Sequence, residues 1–500
     1  MALGPVNLYN ARGTLVGNFD NLQDAVNAAA TLSGAGKKIT VDGFDADDNV
    51  TNLSQQVTIN ATNDTAGNLK NLTIEGLNGA ALHAPTTGAL QSTAVSPTNS
   101  HQLYGVLTLI GTSGVTVKNL TVDGANQGAN LGAAPDGASE VGIAVINASG
   151  TTLDHDTVTN VRESDAGFGN QRGLGIYVAN TAYSSAATVA ITNTTVSNFQ
   201  KNGVTVLNAN ATLTDDTVTG VITDNQAQNA IEIGGSSGVV ADDHVSSIGY
   251  TRNDGQWNGS GILAFDNNNL AINHNDITIG GAFTSGLFAY GTQSNVSVTN
   301  NTITGAGPTG VGLGAPNYST GVYYQDGTGG AVNGNTISGF DVGLEDDAGA
   351  TGTAAPTLTG NTISGAIGKA YFLGDGTAPA PTAFIASNQL PASGVIYVTG
   401  AGAPDAIYSS LQAAIDAASA GDVIHVGAGT YNEDLVINKA VTIEGANHGV
   451  SGTGTRGAET ILTGQSQITT TGQVIIDGVE FLDNKPFDSQ TASSSDRFVS

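Results

Sequence analysis

The sequence predicts an all-β solenoid in which short parallel strands wind into coils that stack on one another. Two observations carry this prediction: a short strand pattern recurs along the chain, and Gly accounts for 69 of the 500 residues, about twice its usual share. Charged residues make up only 11% of the chain, and Cys is absent. This composition excludes a helical bundle rich in Leu, Glu and Lys, a disulfide-stapled scaffold and a metal site with Cys ligands.

The recurring pattern is a polar residue, any residue, Val or Ile, and then Thr or Ser. Short runs in which apolar and polar residues alternate, bounded by Gly, Asn and Asp, are typical of strands. The shortest interval between two copies is 22 residues, about one coil of three strands, and longer intervals add a loop. The polar members Asn301, Asn335 and Asn361 are expected to stack as a ladder that hydrogen-bonds the neighbouring coil. The apolar member falls at eight positions, Val158, Val196, Val218, Val245, Ile277, Ile303, Ile337 and Ile363.

Two further strands complete each coil. One begins with Gly and then alternates apolar residues, as after Gly175 and Gly286, and a shorter one precedes the repeat, as at Val189 and Val296. Coils about 4.8 Å apart would bury their inward Val, Ile and Leu in one continuous core. Over roughly residues 100–375 this pattern resembles the right-handed parallel β-helix proteins of the pectin-lyase-like superfamily. The resemblance implies the fold and leaves the chemistry open, because that fold carries lyases, epimerases, hydrolases, adhesins and tailspikes.

Two segments are expected to form short α-helical N-terminal caps, because an open solenoid end exposes strand edges and core. They are residues 21–30, followed by a strand at Val57, and residues 410–418, followed by a strand at Val441. Leu72-Thr-Ile-Glu-Gly also matches Val441-Thr-Ile-Glu-Gly, which would place an extra coil in the first unit. The second opening resembles the start of pectin-methylesterase-like β-helix proteins. The segment that would carry the catalytic residues of those esterases is missing, so we do not expect their activity.

The two openings divide the chain into two tandem units. We assign residues 1–100 to the N-terminal cap and first coils, 101–375 to the main right-handed β-helix, 376–407 to a junction rich in Pro, Gly and Ala, and 408–500 to a second, short β-helical unit. The second unit has room for about three coils and a polar, Ser-rich end, so we expect it to be incomplete or covered by a partner.

Four loops that follow the repeated strand should emerge on one side and span about 14 Å over three coil steps. Their Trp and Tyr would offer flat faces to sugar rings, and their Arg and Lys would neutralise a uronate carboxylate. The candidate ligand-binding residues are Arg162, Asp165, Arg172, Lys201, Tyr250, Arg252, Asp254 and Trp257.

An enzymatic role for these loops needs a cation that acidifies the α-proton of the sugar while a base removes it. The candidate catalytic residues are Arg162, Lys201 and Arg252. The alternative is that the charges pair locally in solvated loops, Arg162 with Asp165 and Arg252 with Asp254. The Asp-Pro-His-like motif of C5-epimerases is missing, which favours the second interpretation.

Two acidic clusters are candidates for Ca²⁺ binding through carboxylates, with plain solvated turns as the alternative. These clusters are Asp45, Asp47 and Asp48, and Glu345, Asp346 and Asp347. Three His residues stand near acidic residues at strand starts, and we interpret them as surface side chains beside turn carboxylates. The pairs are His155 with Asp154, His244 with Asp243, and His274 with Asp276.

The formal charge of −28 argues against nucleic acid as a partner, and no apolar run is long enough to span a membrane. The sequence therefore favours an extracellular or cell-surface structural or adhesive protein of bacterial type: a surface-layer component, adhesin or filament subunit. We expect it to bind a polysaccharide or cell-surface glycan, to self-associate, and to use no cofactor unless Ca²⁺ is bound. The alternative is a polysaccharide lyase or epimerase acting on an acidic polysaccharide.

Overall fold

The chain folds into stacked coils, each made of three short strands that belong to three different sheets. The computed structural model describes residues 4–44, 49–128, 131, 138–163, 172–223, 226–251, 259–281, 283–292, 294–308, 318–325, 329–347, 356–365, 369–373, 380–391, 395–401, 403 and 406–482. Within these residues, helices cover only Leu22–Thr31, Pro381–Ser387 and Leu411–Ala417. The predicted all-β fold is thus confirmed.

Sheet 1 contains the longest strands. It is joined at its start by the short strands Val57–Asn60 and Ala94–Val95. Its strands in the first unit are Gln102–Ile110, Ser139–Ile146, Gly173–Ala179, Asn202–Leu207, Asn229–Gly234, Gly259–Phe265, Thr284–Tyr290, Thr320–Gln325, Val342–Asp347 and Lys369–Leu373. All ten are paired in parallel.

Sheet 2 follows sheet 1 in each coil. Only its first strands depart from the parallel arrangement, because Val6–Tyr9 lies antiparallel to both Leu15–Phe19 and Lys38–Asp42. Its remaining strands are Thr73–Leu77, Thr116–Lys118, Thr151–Asp154, Thr188–Thr192, Asn210–Thr214, Ser237–Ala241, Leu270–Asn273, Ser297–Thr299, Ala331–Asn333 and Thr357–Thr359.

Sheet 3 holds the repeated strand. Its members are Leu53–Ser54, Ala81–His83, Thr121–Asp123, Thr157–Thr159, Thr195–Ser197, Thr217–Thr219, His244–Ile248, Asp276–Ile279, Thr302–Thr304, Thr336–Ser338 and Thr362–Ser364. Parallel pairing brings all eight predicted apolar positions, from Val158 to Ile363, into one continuous row. None of the eight side chains is more than 1% exposed, so the row forms part of the predicted core.

The predicted Asn ladder lies at the bend between sheets 2 and 3. Asn301 donates its side-chain amide to the Ile272 carbonyl at 3.0 Å and to Oδ1 of Asn335 at 2.9 Å. Its backbone amide donates to the same Asn335 oxygen at 3.0 Å. Asn335 repeats both contacts with Asn361, and Asn361 repeats them with Asn388. Each rung therefore satisfies buried polar groups of the next coil.

Both expected N-terminal caps are helices. In Leu22–Thr31 the side chain of Asn21 accepts the amide of Asp24, and in Leu411–Ala417 that of Ser410 accepts the amide of Ala413. Such contacts satisfy amides that have no partner within the helix. The buried side chains are Leu22, Ala25, Val26 and Ala29 in the first helix and Leu411, Ala414 and Ile415 in the second.

The junction contains a third helix, Pro381–Ser387, which the sequence analysis did not predict. Its Phe384 is fully buried and stacks on the ring of Tyr371 with centroids 4.1 Å apart. Asn388, just after the helix, accepts the amide of Asn361 and so ends the ladder. The helix thus closes the far end of the first unit, where Pro-rich composition alone indicated a linker.

Sheet 1 continues into the second unit through antiparallel pairings. Lys369–Leu373 pairs with Ala406–Tyr408, which pairs with Ile396–Thr399, which in turn pairs with Val423–Val426. The second unit then resumes parallel pairing. Its further strands are Thr442–Glu444 and Ile475–Asp477 in sheet 1, Gly429–Tyr431, Thr460–Leu462 and Val479–Phe481 in a second sheet, and Leu435–Ile437 with Ser466–Ile468 in a third.

Two separate apolar cores accompany the two sets of coils. The strand Ala406–Tyr408 contributes to both, because Ile407 belongs to the first core while Ala406 and Tyr408 belong to the second. Alternate side chains of a strand point to opposite faces. The two cores therefore lie on opposite faces of this strand. Among the helices described, none is long and apolar enough to cross a membrane.

Candidate functional site

The outer face of sheet 1 carries a group of aromatic side chains. In Thr284–Tyr290, Leu287 and Ala289 are buried in the core, so Phe288 and Tyr290 point outward. Parallel register aligns Phe288 with Leu263 and Tyr323, and Tyr290 with Phe265. We call Phe265, Phe288, Tyr290 and Tyr323 the aromatic platform.

The rings of the aromatic platform stack on one another. Phe288 lies 4.7 Å from Tyr323 between ring centroids, with an interplanar angle of 3°, and 4.9 Å from Tyr290. Tyr290 in turn lies 5.6 Å from Phe265. All four side chains are partly exposed. Because stacked rings cover one another's faces, the result is an apolar, solvent-accessible strip of ring edges that a sugar ring can contact.

Carboxylates border the platform along the same outward row. Glu232 is in register with Leu263 on one side, and Glu345 is in register with Tyr323 on the other. Glu232 is partly exposed, whereas Glu345 is 2% exposed and accepts the hydroxyl of Tyr318 at 2.6 Å. Glu232 is therefore the acidic group that a ligand on the platform would meet.

Two amides and a lysine hold Glu232 in place. Asn202 donates to Oε2 of Glu232 at 2.7 Å, and Asn229 donates to Oδ1 of Asn202 at 3.1 Å. Lys201 donates its ammonium group to the Ala227 carbonyl at 2.7 Å and interacts electrostatically with Glu232. The group thus combines a cation, a carboxylate and amide donors beside the aromatic platform.

Burial governs the ionisation of this pair. It raises the pKa of Glu232, while Lys201 and the amides of Asn202 and Asn229 act in the opposite direction. It lowers the pKa of Lys201, an effect that Glu232 partly offsets. A carboxylate with a raised pKa beside a desolvated lysine is a pair suited to proton transfer.

Residues 94–96, which we call the strap, cover the outer face of sheet 1 on the N-terminal side of the aromatic platform. Ala94–Val95 pairs antiparallel with the start of Gln102–Ile110. Ser96 then lies with its hydroxyl 2.8 Å from the hydroxyl of Tyr177, which sits two coils before Glu232 in the outward row. Leu103, Val141 and Leu174 are buried beneath this strap region. The accessible part of the row therefore extends from Glu232 to Tyr323, about 14 Å over three coil steps.

The predicted loop residues are only partly assembled at this surface. Lys201 borders the platform, as described. Arg162 donates to Oδ1 of Asn198 at 2.7 Å, and Arg172 lies 3.8 Å from Oε1 of the buried Glu163. Both Arg side chains therefore engage neighbouring protein groups. Asp165, Arg252, Asp254 and Trp257 lie outside the described residues.

Tyr250 differs from the expectation that it stacks on a sugar. It is 3% exposed and packs with Ala227 and Phe283 in a small apolar cluster. Its ring is therefore unavailable to a ligand. The repeat pattern could not indicate this, since loop packing depends on residues far away in the sequence.

The predicted acidic cluster at residues 345–347 does not converge on one point. Glu345 points outward in register with Tyr323, whereas Asp346 is fully buried in register with Tyr324 of the core. Successive side chains of a strand face opposite sides, so these two carboxylates cannot bind one ion together. The side chain of Asp347 and all of Asp45, Asp47 and Asp48 lie outside the description. Among the described residues no group of three His, Asp or Glu stands ready for a metal ion.

The three His residues singled out in the sequence analysis are exposed surface groups. His155 Nδ1 lies 2.8 Å from Asp154, and His244 Nδ1 lies 3.5 Å from Asp276 rather than Asp243. His274 contacts the neighbouring Asn273 through Nδ1 at 2.9 Å. Their positions agree with the interpretation of these side chains as solvated turn residues.

The sequence analysis missed the aromatic platform, although a signal for it was present. In the segments that begin with Gly261, Gly286 and Gly321, the second residue after Gly is Leu263, Phe288 or Tyr323. That position points outward once the residue before it is assigned to the core. Exposed apolar side chains that recur at an outward position are the signal.

Comparison with known proteins agrees with the architecture. The family described as the right-handed β-helix region matches residues 174–363, and the fold of the chain is a right-handed parallel β-helix. No curated protein matches the chain. The resemblance of the second unit to pectin-methylesterase-like starts stays a prediction.

The chain is similar to several solved structures at low identity. The Dettilon tailspike protein gp208 is 15% identical with a TM-score of 0.38, covering 76% of this chain and 71% of its own. The A-module of the Azotobacter vinelandii mannuronan C-5 epimerase AlgE4 is 14% identical with a TM-score of 0.32, covering 74% and 91%. The endo-xylogalacturonan hydrolase of Aspergillus tubingensis is 11% identical with a TM-score of 0.29, covering 85% and 90%.

Proposed function

We propose that this protein is an extracellular surface protein that binds a glycan on the outer face of sheet 1. The observation that carries the proposal is the aromatic platform, four stacked and partly exposed rings on a rigid sheet. Exposed aromatic side chains with nearby hydrogen-bonding groups are common contacts for sugar rings. Asn202, Asn229 and Glu232 would supply the hydrogen bonds. Self-association and Ca²⁺ binding stay predictions from the sequence.

Binding to immobilised polysaccharides tests this proposal. The wild type, Phe288→Ala and Tyr323→Ala are compared on a panel of neutral and acidic glycans by retardation in affinity electrophoresis. We expect at least one glycan to retard the wild type and both variants to lose most of that retardation. Tyr183→Ala removes an exposed ring away from the platform and serves as the control. Equal retardation of all four proteins would contradict the proposal.

A second candidate is a polysaccharide lyase or epimerase that acts on an acidic polysaccharide. It is supported by the pairing of Lys201 with Glu232 at the edge of the platform. In a lyase, Glu232 would take the proton from the carbon next to the uronate carboxylate, whose charge Lys201 would stabilise. The resulting carbanion would form a carbon–carbon double bond as the glycosidic oxygen leaves with a proton. An epimerase would instead return a proton to the opposite face.

Ultraviolet absorbance of the unsaturated product separates the two candidates. The wild type, Glu232→Gln and Lys201→Ala are incubated with alginate and pectate, and uptake of deuterium from the solvent is followed by NMR to detect epimerisation. Turnover that both substitutions abolish would favour the enzyme. Glycan binding without either product would favour the surface protein.

A further inference from the structure

A second row of polar side chains lies on the outer face of sheet 1 in the second unit, apart from the glycan surface. Tyr397, His425, Glu444 and Asp477 occupy matching positions on four neighbouring strands. The residues adjacent to them, such as Ile424 and Ile443, are buried in the second core. The polar row is thus held on a packed sheet, although neither proposed function uses it.

Two imidazoles of this region converge on one carboxylate oxygen. His425 Nδ1 lies 3.3 Å from Oε2 of Glu444, and His448 Nε2 lies 3.7 Å from the same oxygen. The other ring nitrogens also have partners. His425 Nε2 lies 2.9 Å from Oγ1 of Thr399, and His448 Nδ1 lies 3.1 Å from the Gly445 carbonyl.

These outer contacts fix the tautomer of His448 and allow the matching tautomer of His425. A carbonyl oxygen only accepts, so Nδ1 of His448 must donate to Gly445, and a neutral ring then has a lone pair at Nε2. The Thr399 hydroxyl can donate to the Val423 carbonyl, which leaves its oxygen to accept from Nε2 of His425. The neutral ring of His425 then has its lone pair at Nδ1. Two lone pairs and a carboxylate therefore face one another, an arrangement that a bound cation would stabilise.

We propose that His425 Nδ1, His448 Nε2 and Glu444 bind a divalent transition-metal ion of the Zn²⁺ type. Imidazole and carboxylate are common Zn²⁺ ligands, and bonds of about 2.0–2.1 Å in tetrahedral geometry place donor atoms about 3.3 Å apart. The separation of His425 from Glu444 has this value, and that of His448 is slightly larger. Water would complete the coordination.

The surroundings of the two imidazoles suit the binding of a metal ion. Metal-binding imidazoles usually donate their other N–H to a hydroxyl, carbonyl or carboxylate, which fixes the tautomer, and Thr399 and Gly445 supply such partners here. Among the described residues, no three side chains of His, Asp or Glu are already placed to hold one metal ion. His448, whose side chain is 52% exposed, must move towards the other two when the ion binds.

Isothermal titration of the untagged full-length protein with Zn²⁺ at pH 7.5 tests the site, and Co²⁺ supplies a visible absorption band. We expect binding that Glu444→Gln and His448→Gln abolish, with the Co²⁺ band lost in both. His274→Gln removes an exposed imidazole of the first unit and should leave binding unchanged. Thr399→Val removes only the outer partner of His425 and should weaken binding about tenfold.

His448→Gln changes an exposed side chain, so it should not unfold the protein. Near-ultraviolet circular dichroism of each variant should match the wild type. The proposal is wrong if the wild type does not bind Zn²⁺. It is equally wrong if Glu444→Gln and His448→Gln bind as tightly as His274→Gln. Neither result depends on glycan binding.

Discussion

The backbone amide of Asp243 donates to Oδ1 of Asn275 at 3.0 Å, and at this contact the ladder changes from amide to carboxyl side chains. Towards the C-terminus the ladder positions hold Asn, whose side-chain amides donate to the preceding coil. Towards the N-terminus they hold Asp243, Asp216, Thr194 and Asp156, and the Oδ2 atoms of the three Asp residues are buried without a hydrogen-bond partner. This difference makes one half of the ladder sensitive to pH.

We predict that the free energy of unfolding falls as the pH rises from about 4 to about 8. Burial raises the pKa of Asp156 and Asp216 to about 7 and that of Asp243 to about 8, from an ordinary value of 3.8. Between these values the folded chain holds protons that the unfolded chain releases, so rising pH favours unfolding. Urea titrations at pH 5 and pH 9 measure the difference. Equal stability at both values would refute the prediction.

Asp243→Asn should stabilise the protein at pH 9 by about 1–2 kcal/mol and have little effect at pH 5. The new amide would donate as Asn275 does to the Val240 carbonyl at 3.0 Å, with Leu213 supplying the carbonyl in register. The neighbouring Asp242 is exposed, so Asp242→Asn is the control. A loss of stability at pH 9 in Asp243→Asn would show that the ladder needs the carboxyl group there.

Asn335→Ala should cost about 3 kcal/mol of folding free energy, because it leaves several buried groups without partners. Asn335 accepts the amide of Asn301 at 3.0 Å and donates to the Val298 carbonyl at 2.9 Å. Thr336→Ala changes the adjacent, exposed strand position and should cost much less. Chemical unfolding of both variants measures the two values. Similar losses of folding free energy in the two variants would mean that the ladder contributes little to stability.

Phe384→Ala should cost about 3–5 kcal/mol, as expected for removing a buried aromatic side chain. The ring stacks on Tyr371 at the end of the first core, so its loss opens that end to water. Thr382→Ala, on the exposed side of the same helix, is the matched control. Thermal unfolding distinguishes them, and an unchanged transition in Phe384→Ala would show that the helix does not close the core.

The coil architecture could be predicted because its determinants are local. The apolar member of each repeat, such as Val158 or Ile363, specifies its own strand and its own inward direction, and stacking follows from repetition. The ladder at Asn301 and Asn335 was predictable for the same reason. The caps were predictable because an apolar helical pattern precedes the first strands of each unit.

The rest depends on contacts between distant parts of the chain. The burial of Tyr250 comes from Phe283 on the next coil, and the helix around Phe384 forms because a core end needs a cover. The aromatic platform required the inward positions to be assigned first, after which Phe288 and Tyr323 are outward by alternation. Lys201 was singled out as a candidate from its loop alone, but its partner Glu232 lies on the following coil.

The strand Ala406–Tyr408 also limits what can occupy the platform. Ile407 of this strand belongs to the first core and Ala406 to the second, so the second core lies on the outer side of sheet 1. The body of the second unit therefore rises on the side to which Phe288 and Tyr323 point, while the strap at Ser96 closes the opposite end. A polymer aligned with the long axis of the protein would be blocked at one end by the strap and at the other by the second unit. The platform between these two obstacles therefore favours a short oligosaccharide, or a longer chain that crosses the sheet at right angles to the long axis.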